Sequence, residues 1–285
     1  MFHDNGSATV LANGEVLLAG GYNGFSSPPA FTVAAELYHP STGQWTVTGS
    51  LPSARRLQAA VLLPNGQVLV AGGEDSSFSS IASEALYDPA TGTWQSTGSM
   101  HQARDSAVAE LLGNGTVLVA GGADYSNGTF VSALTSAEIY DPSRGRWTTI
   151  ASMPTTGGPG SLLPNGDVLV VRHAFFDPGT GAWTATGPFP NDTHIIGPST
   201  TTLLNTGNVL LTGFRSTYND TPTLSETVLY NFATNAYTVG ASMNSTRWAN
   251  AATLLPNGQV LVSGGYRHGV GIGTVPLSSA ELYTP

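Results

Sequence analysis

The chain's cations are nine arginines and six histidines, with no lysine and no cysteine. Chemistry that needs an amine or a thiolate, such as Schiff-base formation or cysteine nucleophilic attack, is therefore excluded. Arg55, Arg104, Arg247 and His3 each stand ten residues ahead of the Asn of an Asn-Gly pair (Asn65, Asn114, Asn257 and Asn13). Guanidinium groups repeated at one position can bind carboxylate, sulfate or phosphate bidentately, each good contact contributing on the order of 1.5–3 kcal/mol when partly desolvated. The same positions suit a structural role, each Arg pairing with an acidic residue such as Glu36, Glu84, Glu138, Glu226 or Glu281. Arg172 and Arg215 extend the candidate binding set. His173, His194 with its neighbour Asp192, and His3 are candidates for acid–base chemistry, because imidazole titrates near neutrality and a carboxylate can orient the ring. Tyr22, Tyr125, Tyr266 and Trp248, which follows Arg247 directly, could stack on a sugar ring or form a protein-binding hot spot. No HExxH, EF-hand or clustered Cys/His spacing occurs, so neither a metal nor another cofactor is expected.

These residues must be positioned by a repeat. The segment 62–73, LLPNGQVLVAGG, recurs in altered form near Leu11, Leu111, Leu162, Leu203 and Leu254. Its turn glycines fall at positions 14, 66, 115, 166, 207 and 258, spaced 52, 49, 51, 41 and 51 residues apart. An Asn-Gly pair between apolar runs predicts a hairpin, read as a type I′ turn in which both residues take positive φ. Downstream in each copy comes Tyr-Asp-Pro or a relative of it, as at Tyr87-Asp88-Pro89, followed in four copies by a Gly and Trp45, Trp94, Trp147 or Trp183, with Tyr237 as the fifth equivalent and none in the sixth. That stretch predicts a second hairpin. Four short strands, a to d, repeated six times without helical periodicity predict an all-β six-bladed propeller. Blades are expected over about 1–50, 51–99, 100–152, 153–187, 188–242 and 243–285, the last lacking its outermost strand.

The Gly-Gly doublets 20/21, 72/73, 121/122 and 264/265 after strand b, with the downstream Tyr and Trp, make the chain resemble the kelch-repeat family. Val171-Arg172 and Gly213-Phe214 replace the doublet in the fourth and fifth repeats. The resemblance implies a propeller like the central domain of galactose oxidase. That enzyme's cofactor needs a Tyr-Cys cross-link, so the copper-radical chemistry is not implied for a chain without cysteine. For function the resemblance says little, since one fold hosts many activities. It allows a binding module and, as the alternative, a small-molecule isomerase, lyase or cyclase.

Strand parity sharpens this expectation. In an up-and-down blade the short a–b and c–d turns share one end, and the long b–c loops and d–a crossovers share the other. Twelve of the fifteen His and Arg fall in the long connections. A basic channel mouth is therefore expected there, attracting an anionic small molecule, a glycan or an acidic peptide. Net charge is −9, which disfavours nucleic acid. No apolar run approaches the roughly 20 residues that span a bilayer, so no membrane partner is expected. The first residues do not read as a signal peptide, which leaves extracellular and cytoplasmic locations both open. An unpaired edge on the last blade is a possible self-association surface.

Overall fold

The computed structural model describes residues 3–23, 30–190, 195–196, 200–216, 224–269 and 273–285. The fold is all-β, a six-bladed β-propeller arrangement. Among the described residues five blade sheets have four antiparallel strands, a sixth, Ala251–Leu254, Val260–Ser263 and Ala280–Tyr283, has three, and four further sheets are two-stranded ribbons. The chain divides into two compact units, Met1–Gly157 with blades one to three and Gly158–Pro285 with blades four to six.

Blade two shows why these residues form sheets. Ala59–Leu62, Val68–Ala71, Glu84–Asp88 and Thr93–Ser96 pair in sequence order. Its strand b is buried along its whole length because both its faces meet neighbours. Val68 and Val70 pack with Leu11 and Leu17 of blade one and with Leu51, whereas Leu69 and Ala71 pack with Val117, Val119 and Tyr140 of blade three. This is the period of two expected of a strand. Strand d, by contrast, is largely exposed.

The Asn-Gly turns correct one expectation. Only the glycine takes positive φ, 85° at Gly66, while Gly66 N–H donates to Leu63 O at 2.9 Å and Leu63 N–H to Gln67 O at 2.8 Å. With Pro64 at its second position this is a type I turn followed by a left-handed glycine, a three-residue hairpin loop rather than type I′. The side chain of Asn65 closes the loop by accepting from Gln67 N–H at 3.1 Å.

Neighbouring blades are stapled through the Tyr and Trp of the repeat. Tyr87 Oη bonds Thr48 Oγ1 at 2.7 Å and Trp94 Nε1–H donates to Gly49 O at 2.8 Å, and Tyr140 and Trp147 do the same with Thr97 and Gly98. Gly49 is required by the close approach, since a Cβ there would lie 2.2 Å from Gly92 O.

Parity holds within the first unit. Pro64, Asn65, Asn114–Thr116 and Asp141–Ser143 line one shallow cleft of about 300 Å³, so a–b and c–d turns share an end. The long connections meet one another elsewhere, through backbone bridges Asp4–Tyr22, Arg56–Glu74, Glu74–Ser80 and Asp105–Ala123.

Candidate functional site

Arg55, Arg104 and Arg247 do occupy equivalent positions, but they are the largest fully buried side chains, 1%, 1% and 0% exposed. Each is consumed by its own blade. Arg104 Nη1 donates to Gly121 O at 2.8 Å and Ser136 O at 2.9 Å, and its Nη2 to Ser136 Oγ at 2.9 Å and Glu138 Oε1 at 3.3 Å. Arg247 repeats the pattern with Gly264, Ser279 and Glu281. Arg55 repeats it with Gly72 and Ser83, taking Ser53 Oγ in place of the carboxylate. The carbonyls engaged flank the b–c loop, so the guanidinium fastens the start of that loop to its end.

His3 fills the same slot in blade one. Its Nδ1 lies 2.6 Å from Gly20 O and its Nε2 3.1 Å from Glu36 Oε2, with the side chain 4% exposed. Arg55, Arg104, Arg247 and His3, expected to stand open at a channel mouth, are instead held in bonds within their own blades. The terminal nitrogens of each guanidinium are already spent on protein acceptors, and withdrawing them would strand the carbonyl of Gly72, Gly121 or Gly264.

What the long connections of the first unit do present is an aromatic cluster. Arg56, next to the buried Arg55, lays its guanidinium carbon 4.7 Å from the Tyr22 ring centroid, 5.3 Å from Phe31 and 5.4 Å from Phe78. The three rings meet edge to face. Arg56 Nε–H donates to Glu74 Oε2 at 2.6 Å, and this is the only hydrogen bond of its guanidinium among the described residues. From Phe78 the surface continues to a two-stranded ribbon, Ala123–Ser126 with Thr129–Ala133. Gly128 N–H donates to Phe78 O, and Tyr125 pairs edge to face with Phe130 at 5.5 Å. Phe78, Phe130 and Val131 are 37%, 55% and 57% exposed.

Polar groups pin this surface from beneath. Ser80 Oγ donates to Asp105 Oδ2 at 2.7 Å and accepts from Tyr125 N–H at 2.9 Å. Burial holds the Asp105 carboxyl above the usual carboxylate range, against the bonds from Ser80 and Ser106. A second backbone device was not legible in the sequence. Asn5, Leu57, Ser106 and Ala249, each two residues after the buried His or Arg, all take left-handed φ of 52–56°. Leu57 N–H donates to Asn5 O and Ser106 N–H to Leu57 O, linking the entries of successive blades.

In the second unit, Trp248 and Tyr266 exchange backbone hydrogen bonds and their rings lie 5.4 Å apart. Arg172 takes φ of 70°, its N–H donates to Tyr237 Oη at 2.9 Å, and its guanidinium sits 4.9 Å from the Phe189 ring. His173 holds the adjoining tight turn, its N–H donating to Val170 O and its own carbonyl accepting from Thr186 N–H. The backbone of Arg215 pairs with Ile196, and its side chain lies outside the described residues. Asp192 and His194 lie outside them as well. Among the described residues no group of three or more His, Asp or Glu could hold a metal ion.

Comparison with known proteins supports the fold. The kelch motif family model matches residues 112–154, which spans blade three from strand b through strand d. No curated protein sequence matches the chain. A solved structure described as a fungal alcohol oxidase of the AA5 family, in complex with copper, superposes with a TM-score of 0.73 at 20% identity. The match takes in 99% of this chain but only 63% of that one. The structure of YjhT superposes at 0.70 with 14% identity, covering 100% of this chain and 95% of the other. At these identities the likeness concerns the fold alone. By its repeat and its sheet order the chain is a six-bladed β-propeller, and it carries a kelch motif over residues 112–154.

Proposed function

We propose that the protein is a binding module that takes a segment of a partner protein on the long-connection face of its first unit. A kelch propeller suggests a binding or protein-interaction module. The observation that carries the reading here is the aromatic surface of Tyr22, Phe31, Phe78, Tyr125 and Phe130, supported on Arg56 and extended by the exposed Val131. Aromatic residues beside an arginine are the usual composition of an interaction hot spot. The experiment is hydrogen exchange with and without a partner. Protection is expected over residues 74–80 and 123–133, and protection of the short turns around Asn65 and Asn114 would refute the assignment.

An anionic partner, an acidic segment or a glycan, is the second reading. It is favoured by one observation, the absence of a further hydrogen-bond partner for the Arg56 terminal nitrogens among the described residues. Arg56→Gln should then weaken binding of a glutamate-rich peptide at least tenfold. The small-molecule enzyme alternative keeps His173 and His194 with Asp192 as its acid–base candidates, and unchanged turnover in both His173→Ala and His194→Ala would remove them from it.

A further inference from the structure

We infer that the segment docking on this face is cationic, an extended arginine- or lysine-bearing stretch whose apolar residues cover Phe78, Phe130 and Val131. The inference rests on the proposed binding face and adds the partner's charge. Two observations carry it. First, the positive charge of the face is spent internally: Arg55, Arg104 and His3 are buried, and Arg56 is paired with Glu74 at 2.6 Å, the two side chains 19% and 7% exposed. Second, the charged groups left around the aromatic ridge are acidic. Asp4 is exposed beside Tyr22, whose N–H donates to Asp4 O. Asp75 is half-buried at the base of the Phe78 turn, where Phe78 N–H donates to Asp75 O. Asp124 is half-buried on the ribbon, one residue before Tyr125 and opposite Ser132.

Among the described residues Arg56 is the cation at the ridge, and it is already paired with Glu74. Thr129–Ala133 carries no charge, and Ser80 and Ser106 are neutral partners of Asp105. An incoming guanidinium can lie on the exposed Phe130 and Phe78 rings and reach Asp124 or Asp75, so that cation–π and ionic contacts act together. An incoming carboxylate meets the same three carboxylates and must displace Glu74 from Arg56 or share it.

The test uses the full chain and two synthetic peptides with one apolar frame, one bearing four arginines and the other four glutamates, titrated at low and moderate salt. The arginine peptide is expected to bind at least tenfold tighter, with affinity falling as salt rises. Asp75→Asn/Asp124→Asn should weaken it at least fivefold, while Asp141→Asn at the short-turn end should leave it unchanged. Equal weakening by Asp141→Asn would reduce the effect to net charge and overturn the inference. Tighter binding of the glutamate peptide, lost in Arg56→Gln, would also overturn it while leaving the face itself standing. If Phe78→Ser/Phe130→Ser alters neither titration, or neither peptide binds, the face is wrong and the inference falls with it. Thermal unfolding of each variant confirms that it is folded.

Discussion

Glu84 and Glu138 lie at the start of the same strand in successive blades, yet they face opposite sides of it. Glu84 stands across from Ala71, whereas Glu138 stands across from Val119, one position further along its strand. A one-residue offset turns a strand side chain to the other face. Glu138 therefore joins Arg104 and accepts from His101 and Gln102 N–H groups at 2.9 and 3.1 Å, which hold its carboxyl below the usual range despite burial. Glu84 meets the core between blades instead, with Met100 N–H on Oε1 and no partner within hydrogen-bond distance for Oε2 among the described residues.

Stability should consequently depend on Glu84 in an unusual direction. Burial pushes its carboxyl up to about 8, with the Met100 N–H and Arg55 acting the other way. Arg55, lowered by burial to about 10, still stays charged at neutral pH. Between the ordinary carboxylate value and about 8 the folded chain holds a proton that the unfolded chain has released, so stability falls as pH rises through that window and levels off beyond it. Glu84→Gln should remove the fall, raising the melting temperature by several degrees at pH 8 and little at pH 4. Parallel curves for the two proteins would contradict the assignment.

Arg104 should behave as a fastener and not as a ligand contact. Replacing it with Met strands the carbonyl of Gly121 and leaves the buried Glu138 charge poorly compensated, a loss of roughly 3–5 kcal/mol. At this chain length that corresponds to about 10 °C in melting temperature. Arg104→Lys should rescue little, because an ammonium cannot span four acceptors held in a planar fork. A folded, fully stable Arg104→Lys protein with altered ligand affinity would show the opposite role.

The repeat carried most of this architecture openly: Asn-Gly turns, Tyr and Trp downstream of them, and Gly-Gly doublets in four of the six blades. Equivalence of His3, Arg55, Arg104 and Arg247 was equally legible. Their direction was not, because position in a repeat does not say whether a side chain points to solvent or folds back onto its own loop. Arg56 shows the converse. It is adjacent in sequence to a buried arginine and reaches the surface because the next residue, Leu57, turns left-handed and strand alternation resumes from there. Loop partners such as Phe31 and Phe78 come from different blades, so no local pattern joins them.

Arg172 tests how much strain the fourth blade tolerates. It stands where Gly20, Gly72, Gly121, Gly213 and Gly264 stand in the other repeats, with φ of 70° against their 63–80°. A non-glycine residue in this region is disfavoured by roughly 1–2 kcal/mol. Stacking on Phe189 offsets part of that, so Arg172→Gly should remain within about 1 kcal/mol of the parent. Arg172→Val, which keeps the strain, adds a branched Cβ and loses the stack, should be clearly less stable in urea titration. Equal stability of the two variants would mean that φ at this position relaxes freely.

Two glycines separate steric from conformational requirements. Gly66 takes φ of 85° with nothing within 4 Å of where a Cβ would go, so Gly66→Ala meets only the backbone preference, about 1–2 kcal/mol. Gly49 has no left-handed requirement, but its N–H donates to Gly92 O at 3.0 Å and a Cβ would sit 2.2 Å from that oxygen. Gly49→Ala must therefore push blade one off the turn of blade two, and Trp94 Nε1–H loses its acceptor, the Gly49 carbonyl, as the strand moves. We expect the larger loss at Gly49, accompanied by a shift in tryptophan fluorescence that Gly66→Ala does not show. If Gly66→Ala proves the more damaging, the close approach of blades at Gly49 does not hold them together.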